Sequence, residues 1–442
     1  MRDFATSESL AVQAQLDRLA ALSLPQGRFG LETIREILRR LGDPHARIPP
    51  AFHVAGTNGK GSTCAFLRAM LEAQGLTVHA AIKPHLVRYN ERIRLAGELI
   101  SDDLLAALLE EVLDLSADLA PSFFEVTTAA MFLAFARVPA DVCVIEVGLG
   151  GRFDATNVLE TAVACGIASL GIDHEAFLLR PEDGVPIDPL ARIAFEKASI
   201  ATCGVPLVTQ DYGSAVARVI RDTAQAKGAR MAVRGVQWAA QIGETIGYGD
   251  ASGEVSLPLP ALAGAHQADN AALAVAMLRH QHQIAVSPEA MAQGIRSARW
   301  PARLQLLGEG PLTALVPGRR VWLDGGHNPD AGLAIARFFG AGAAPGLHLV
   351  IGMLASKDPA AIVAPLRHHL ATVSVVPAPG HDAHAPEDFA AHTDLPVHSF
   401  ADVTEALAAI NRDSPYLLGD VLIAGSLYLA GQVLRLNREI PD

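Results

Sequence analysis

The stretch Phe52-His-Val-Ala-Gly-Thr-Asn-Gly-Lys-Gly-Ser-Thr63 narrows most the folds open to this chain. A short apolar run breaks into a glycine-rich turn carrying one lysine, and residues 64–74 then read as a helix. Strand, nest of backbone amides, lysine, hydroxyl and helix start are the parts with which a protein grips a nucleotide's phosphates. Gly56, Thr57, Asn58, Gly59 and Gly61 supply the turn, Lys60 the reach to the outer phosphates, and Ser62 or Thr63 a hydroxyl for Mg²⁺. The spacing departs from the common phosphate loop: Gly61 separates Lys60 from Ser62, and Val54 stands where that loop has a glycine. A plain glycine turn at a strand–helix junction is the competing reading.

The rest of the chain alternates in the same way. Strand-like runs recur near 51–55, 76–82, 141–147, 163–170 and 205–209, with helical runs at 31–41, 61–74, 102–114 and 127–137. Short β-branched runs separated by helices predict an α/β fold built on a mainly parallel sheet covered on both faces. Near 247–262 glycine- and proline-bounded pieces suggest hairpins or an edge, and a helix with Asn270–Leu278 in its interior follows. Ser297-Ala-Arg-Trp-Pro-Ala-Arg303 reads as a linker, after which strands restart at 320–324, 347–351, 372–376 and 416–423. At 442 residues the chain is long for one core, so two domains are expected, 1–296 and 297–442.

Composition excludes several classes. Half the residues are apolar and 19% charged, as in a soluble globular protein. A net charge of −12 argues against a non-specific nucleic-acid binder. Cys64, Cys143, Cys165 and Cys203 form no CxxC pair, which fits a reducing cytoplasm. The polar N-terminus lacks a signal-peptide core, and no stretch resembles a membrane span.

Three further cues carry chemistry. Glu146 ends the apolar run Val142-Cys-Val-Ile-Glu146 just before glycines, where a strand-end carboxylate suits Mg²⁺; pairing with Arg152 to tie down the glycine loop is the alternative. Ser169-Leu-Gly-Ile-Asp-His174 is another strand running into polar residues. His174 fits a metal shell with Asp173 orienting it or facing substrate, or the pair is a turn and cap. Lys197 is by pattern an ordinary helix lysine.

His53-Val-Ala-Gly-Thr-Asn-Gly-Lys-Gly-Ser62, Pro84-His-Leu-Val-Arg-Tyr-Asn-Glu-Arg-Ile93, Glu146-Val-Gly-Leu-Gly-Gly-Arg-Phe-Asp154, Gly264-Ala-His-Gln-Ala-Asp-Asn270 and Asp324-Gly-Gly-His-Asn-Pro329 occur in that order. Together they resemble the folylpolyglutamate synthase and dihydrofolate synthase branch of the Mur ligases, from about residue 26 to Gly431. The resemblance implies a P-loop NTPase-like domain followed by a smaller Rossmann-like glutamate-ligase domain. It implies a cytoplasmic, monomeric ATP- and Mg²⁺-dependent acid–amino-acid ligase, adding L-glutamate to dihydropteroate and reduced folates with no nucleic-acid or membrane partner. It gives Lys60 to the phosphates, Ser62, Glu146 and His174 to Mg²⁺, and Lys197 to a carbamylated metal ligand. Asn270 falls on the adenine side, and Arg303, Asp324 and His327 fall at a nucleotide site between the domains. Pro84, His85 and Arg88 belong to a folate-site loop, with Asp173 toward substrate. Two departures stand out: Ile82-Lys83 replace the usual Thr-Ser, and the 174–197 segment is longer than usual, with Ser199 in place of glycine.

Such chemistry needs these groups. Hydroxide leaves a carboxylate poorly, so phosphoryl transfer first makes an acyl phosphate that an amine can attack. Lys60, Mg²⁺ and a second basic group such as His327 would align and neutralise the transferring phosphoryl group. Domain closure would then exclude water from the acyl phosphate. A monofunctional synthase of either kind, a UDP-muramoyl amino-acid ligase, an ATPase or GTPase switch, and a non-enzymatic nucleotide module are the alternatives. Pro84-His-Leu86 and Asn90-Glu-Arg-Ile93 disfavour the muramoyl reading.

Overall fold

Ala51–Ala55 (β1), Val142–Glu146 (β5) and Ala162–Ile167 (β6) are apolar runs in which every residue is buried, as strands covered on both faces must be. The computed structural model describes residues 6–22, 30–160, 162–341, 346–413 and 419–442. The start of the family resemblance near residue 26 and the 416–418 part of the expected strand 416–423 lie outside the described residues.

Between and beyond these strands lie Val78–Ala81 (β2), Ile93–Leu95 (β3), Glu98–Leu99 (β4), Pro206–Thr209 (β7) and Arg230–Val233 (β8). They form one eight-stranded sheet in the order β4-β3-β2-β5-β1-β6-β7-β8. From β2 to β8 every neighbouring pair is parallel, while β3 and β4 add an antiparallel edge. The edge hairpin escaped the sequence reading because strands of two and three residues carry no readable period. The chain leaves β1 for β2 on one side and later adds β6 on the other, so β1 sits at a topological switch point. Ligands in open parallel sheets bind beyond the strand carboxyl ends at such a point.

A small antiparallel sheet of Trp238–Ile242 (β9), Ile246–Asp250 (β10) and Gly253–Leu257 (β11) occupies the region expected to hold hairpins. Helix His266–His280 follows with Asn270 inside it. The small sheet and the helix from Ala268 onward belong to a first compact unit, Met1–Ala261 with Ala268–Ala298; the second holds Leu262–Gln267 and Arg299–Pro441.

The second unit has its own sheet of Gln305–Leu306 (β12), Val321–Leu323 (β13), Leu347–Ile351 (β14), Leu370–Val375 (β15), Val397–Ser399 (β16) and Val421–Ala424 (β17). Its order is β12-β13-β17-β14-β15-β16, parallel except for the β12–β13 pair. A separate apolar core of Leu349, Ile351, Ile362, Val373 and Leu422 fills this unit. No helix among the described residues is long and apolar enough to cross a membrane.

Helix Lys60–Ala73, which begins at the glycine-rich loop, is held from behind by helix Pro288–Ser297. Gly294 permits that contact: a Cβ there would stand 2.4 Å from both N and Cα of Met70, backbone atoms that cannot swing aside. Gly294→Ala is therefore expected to destabilise the fold by about 1–3 kcal/mol through overpacking. Chemical denaturation would report it as a lowered midpoint, and an unchanged midpoint would refute the tight approach.

Candidate active site

The loop Gly56–Gly59 leaves β1 and turns into helix Lys60–Ala73. Gly59 is the N-cap at φ 80°, a left-handed conformation that suits glycine, and it offers no side chain to cap the helix. A Cβ there would also lie 2.4 Å from Oδ1 of Asn270, so the buried Asn270 packs directly on the loop. Thr57 and Asn58 both donate their N–H to Ser169 O, at 2.7 and 3.3 Å. Thr57 Oγ1 donates to Gly171 O at 2.9 Å and accepts the Gly171 N–H at 3.1 Å. The loop after β1 is thereby fastened to the chain leaving β6. Lys60 Nζ donates to Gly56 O and Thr57 O, at 2.8 and 3.1 Å, keeping its ammonium on the loop.

Glu146 ends β5, paired in register with Val54 of β1, and is buried. Three adjacent strand ends thus carry the loop with Lys60, the Glu146 carboxylate and the segment running to Asp173 and His174. The glycine loop after β5 is held by Asp154, whose Oδ2 accepts the N–H groups of Gly148 and Leu149 at 2.9 and 2.8 Å. Its Oδ1 accepts from Thr156 N–H and hydroxyl, at 3.0 and 2.5 Å. Arg152 pairs with Glu182 and, at 3.2 Å, with Glu196. His174 adopts φ 56° at the N-cap of the short helix Glu175–Leu178, and its N–H donates to Asp173 Oδ1 at 2.8 Å. The turn-and-cap geometry is therefore present, while the half-exposed imidazole stays accessible.

Lys197 lies near the end of helix Pro189–Ala198 and is buried. Burial, reinforced by the nearby Lys60 charge, pulls its amine down to about 7, against the opposing pull of Asp173, Asp154 and Glu196. The donors present suit a hard divalent cation. Ser62 and Glu146 are buried, and Thr63 Oγ1 is buried with no hydrogen-bond partner. Among the described residues no three His, Cys, Asp or Glu side chains converge on a metal-holding group. One carboxylate plus hydroxyls matches a cation such as Mg²⁺, which normally completes its shell with phosphate oxygens and water.

Beyond β2 the loop with Pro84, His85 and Arg88 is shaped by Glu91. Its carboxylate accepts the N–H groups of Leu86, Val87 and Arg88 at 2.8, 2.9 and 2.7 Å. Arg92 Nε donates to His85 Nδ1 at 2.9 Å, and burial beside this guanidinium holds the imidazole well below its ordinary range. Arg92 also lies over the rings of Tyr89 and Phe123, at 4.8 and 5.4 Å. The roles of Glu91, Arg92 and Asp154 were missed from sequence. Each stands inside a quoted motif, so its position was visible while its partners were not.

In the second unit Arg303, Asp324 and His327 come together at the end of β13. Asp324 Oδ2 accepts from Leu304 N–H at 2.8 Å and Oδ1 from Gly326 N–H at 2.6 Å. His327 Nδ1 lies 3.0 Å from Gly325 O, and an Arg303 guanidinium nitrogen lies 3.0 Å from where a Gly325 Cβ would be.

No family model matches the chain. It is 34% identical over 409 residues to the dihydrofolate synthase/folylpolyglutamate synthase of Escherichia coli, covering 92% of this chain and 90% of that one. A probable bifunctional folylpolyglutamate synthase/dihydropteroate synthase of Halobacterium salinarum is 34% identical over 426 residues, 91% of this chain; the chain spans about half, 49%, of its length. Among solved structures, E. coli FolC in complex with DHPP and ADP superposes with a TM-score of 0.84 at 32% identity, covering 97% of this chain and 98% of that one. A bifunctional folylpolyglutamate synthase/dihydrofolate synthase with Mn, AMPPNP and L-glutamate bound gives 0.83 at 29% identity, covering 98% and 99%. With the motifs in order and likenesses running nearly end to end, the chain belongs to the dihydrofolate synthase/folylpolyglutamate synthase family of the Mur ligases.

Proposed function

We propose that this protein is a bifunctional cytoplasmic ligase that uses ATP to join L-glutamate to dihydropteroate and to reduced folates. One observation carries the reading. Adjacent strands β2, β5, β1 and β6 deliver to one sheet edge the Pro84–Arg88 loop, Glu146, the glycine-rich loop with Lys60, and Asp173–His174. Relatives of this fold hold DHPP with ADP in one case and AMPPNP, Mn and L-glutamate in another, which supports the same substrates here.

The loop amides and the N-terminus of helix Lys60–Ala73 take the phosphates of ATP, with Lys60 on the outer ones. Asn270, packed on Gly59, takes the adenine side. Within the second unit Asp324 fixes the turn that precedes His327, since both its oxygens are occupied by backbone donors. Ser62, Glu146, His174 and Lys197, the last as its carbamate, would hold Mg²⁺, whose charge offsets that of the phosphates when it is bound. The acceptor's carboxylate oxygen bonds to the γ-phosphorus as the bond to the β-phosphate oxygen breaks, releasing ADP. The glutamate α-amine, having lost a proton, then attacks the acyl carbon, and inorganic phosphate leaves. Lys60 offsets charge on the transferring phosphoryl group. The aromatic and cationic floor made by Tyr89, Phe123 and Arg92 suits a flat acid.

ATP- and glutamate-dependent turnover with dihydropteroate and tetrahydrofolate in parallel, followed by product mass, tests the activity. Both acceptors are expected to be extended; extension of one alone would reduce the reading to a single synthase, and of neither would reject it. Lys60→Ala is expected to lose at least about tenfold in kcat, since a charge-assisted phosphate contact is worth about 1.5–3 kcal/mol; near-normal kcat at saturating ATP would remove Lys60 from catalysis.

Lys197 supplies a pH prediction. Only a neutral amine captures CO₂, and a folded value of about 7 makes half of it neutral near that pH. Carbamate occupancy is therefore expected to climb between about pH 6 and 8, read by ¹³C NMR with labelled bicarbonate and a Lys197→Ala control. For the unmodified amine, lowered from 10.5 to about 7, the unfolded chain binds more protons between those values, so stability rises with pH across that window. A carbamyl signal absent at every pH would dismiss the assignment.

A further inference from the structure

Lys83 follows β2 and has no task in the scheme above. Its backbone N–H donates to Glu146 Oε2 at 3.0 Å, which fixes it beside the strand-end carboxylate. Its ammonium nitrogen is buried and meets no hydrogen-bond partner. Nζ lies 4.2 Å from the centroid of the Phe124 ring, and the stem and that ring close over Gly148. A buried ammonium with unused donors is costly, and an apolar side chain would cover Phe124 equally well.

Charge and hydrogen bonding are separated here. Asp154 is the main carboxylate facing the Lys83 ammonium, ahead of Glu146, with the Arg92 guanidinium opposing them. Yet the Asp154 oxygens are engaged by Gly148, Leu149 and Thr156. Asp154 therefore compensates the cation at a distance and leaves its N–H groups for another acceptor.

We propose that the Lys83 ammonium binds the reacting carboxylate of the acceptor and holds it in line with Glu146 and the phosphate loop, an inference that rests on the ligase reading above. The register supports it. Ala81 pairs with Ile145 and Val54 with Glu146, so Lys83 and Gly56 lie just past the ends of the two strands that flank the one Glu146 ends, neighbouring strands being about 4.8 Å apart. A carboxylate lying across those ends meets the lysine on one side and the γ-phosphate site on the other. Lys83 is thus a substrate-binding residue for the first half-reaction.

Kinetics of the full chain as wild type, Lys83→Met and Lys83→Ser test this, with folding checked by thermal melting. Met keeps the apolar stem and Ser removes it, so the two variants strain the fold differently. The KM for the acceptor is expected to rise by about tenfold or more in each folded variant, with the KM for ATP near the wild-type value. Binding titrations compare the acceptor with its carboxamide analogue, in which the reacting carboxylate is replaced. The carboxamide is expected to bind wild type about tenfold more weakly than the carboxylate, and the variants are expected to lose that discrimination. An unchanged acceptor KM, or full discrimination retained in the variants, overturns the Lys83 assignment and leaves the ligase reading intact. Absence of ADP formation by wild type with every folate acceptor instead overturns the ligase reading itself, and the Lys83 assignment with it.

Discussion

The paired donation of Thr57 and Asn58 N–H to the single carbonyl of Ser169 is the interaction on which the site depends. It welds the glycine-rich loop to the chain leaving the neighbouring strand. A loop with two left-handed or near-limit glycines would otherwise have many conformations to lose on binding. Because the anchor is a backbone carbonyl, it does not compete for charge, and Lys60 is left to donate to the Gly56 and Thr57 carbonyls of the same loop. Asn270 packs against Gly59 from another side, so the loop is braced by β6 and by helix His266–His280 at once.

The same device recurs with carboxylates. Asp154 clamps Gly148 and Leu149, Glu91 gathers the N–H groups of residues 86–88, and Asp324 joins Leu304 to Gly326. Each is buried, and each accepts two or more charge-assisted bonds that would leave several backbone donors orphaned if it were removed. Loops at strand ends are the parts of an α/β sheet least determined by the sheet itself. Buried anions at their centres make them as rigid as the strands.

Much of this was legible in sequence, and the reason is locality. The β1–loop–helix transition is written in consecutive residues, and β5 ends at Glu146 as its apolar run does. The central strands were readable from short apolar runs set between helical stretches, for the same cause. What was not legible depends on residues far apart in the chain. Lys83 meets Glu146 across β2 and β5, Asn270 meets Gly59 through packing, and Gly294 meets Met70 between two helices. The second unit's use of Leu262–Gln267 is of this kind too, because a single-boundary reading has no local signal for a chain that visits a unit twice.

The 174–197 segment finds its physical sense in charge. Arg152 and Arg192 are mostly buried and both approach the buried Glu196, at 3.2 and 3.1 Å. Two guanidiniums on one carboxylate would leave an uncompensated positive charge one residue from Lys197, and a buried unpaired charge is strongly destabilising. Glu182, within that segment, pairs with both arginines and makes the cluster two against two. Its half-exposed side chain lets the cluster form without full desolvation of a second acid. The depression of Lys197 is consequently set by burial and by Lys60, not by the two arginines. Glu182 therefore balances the charge beside Lys197, and the depression of that amine is left to burial first and to the Lys60 charge second.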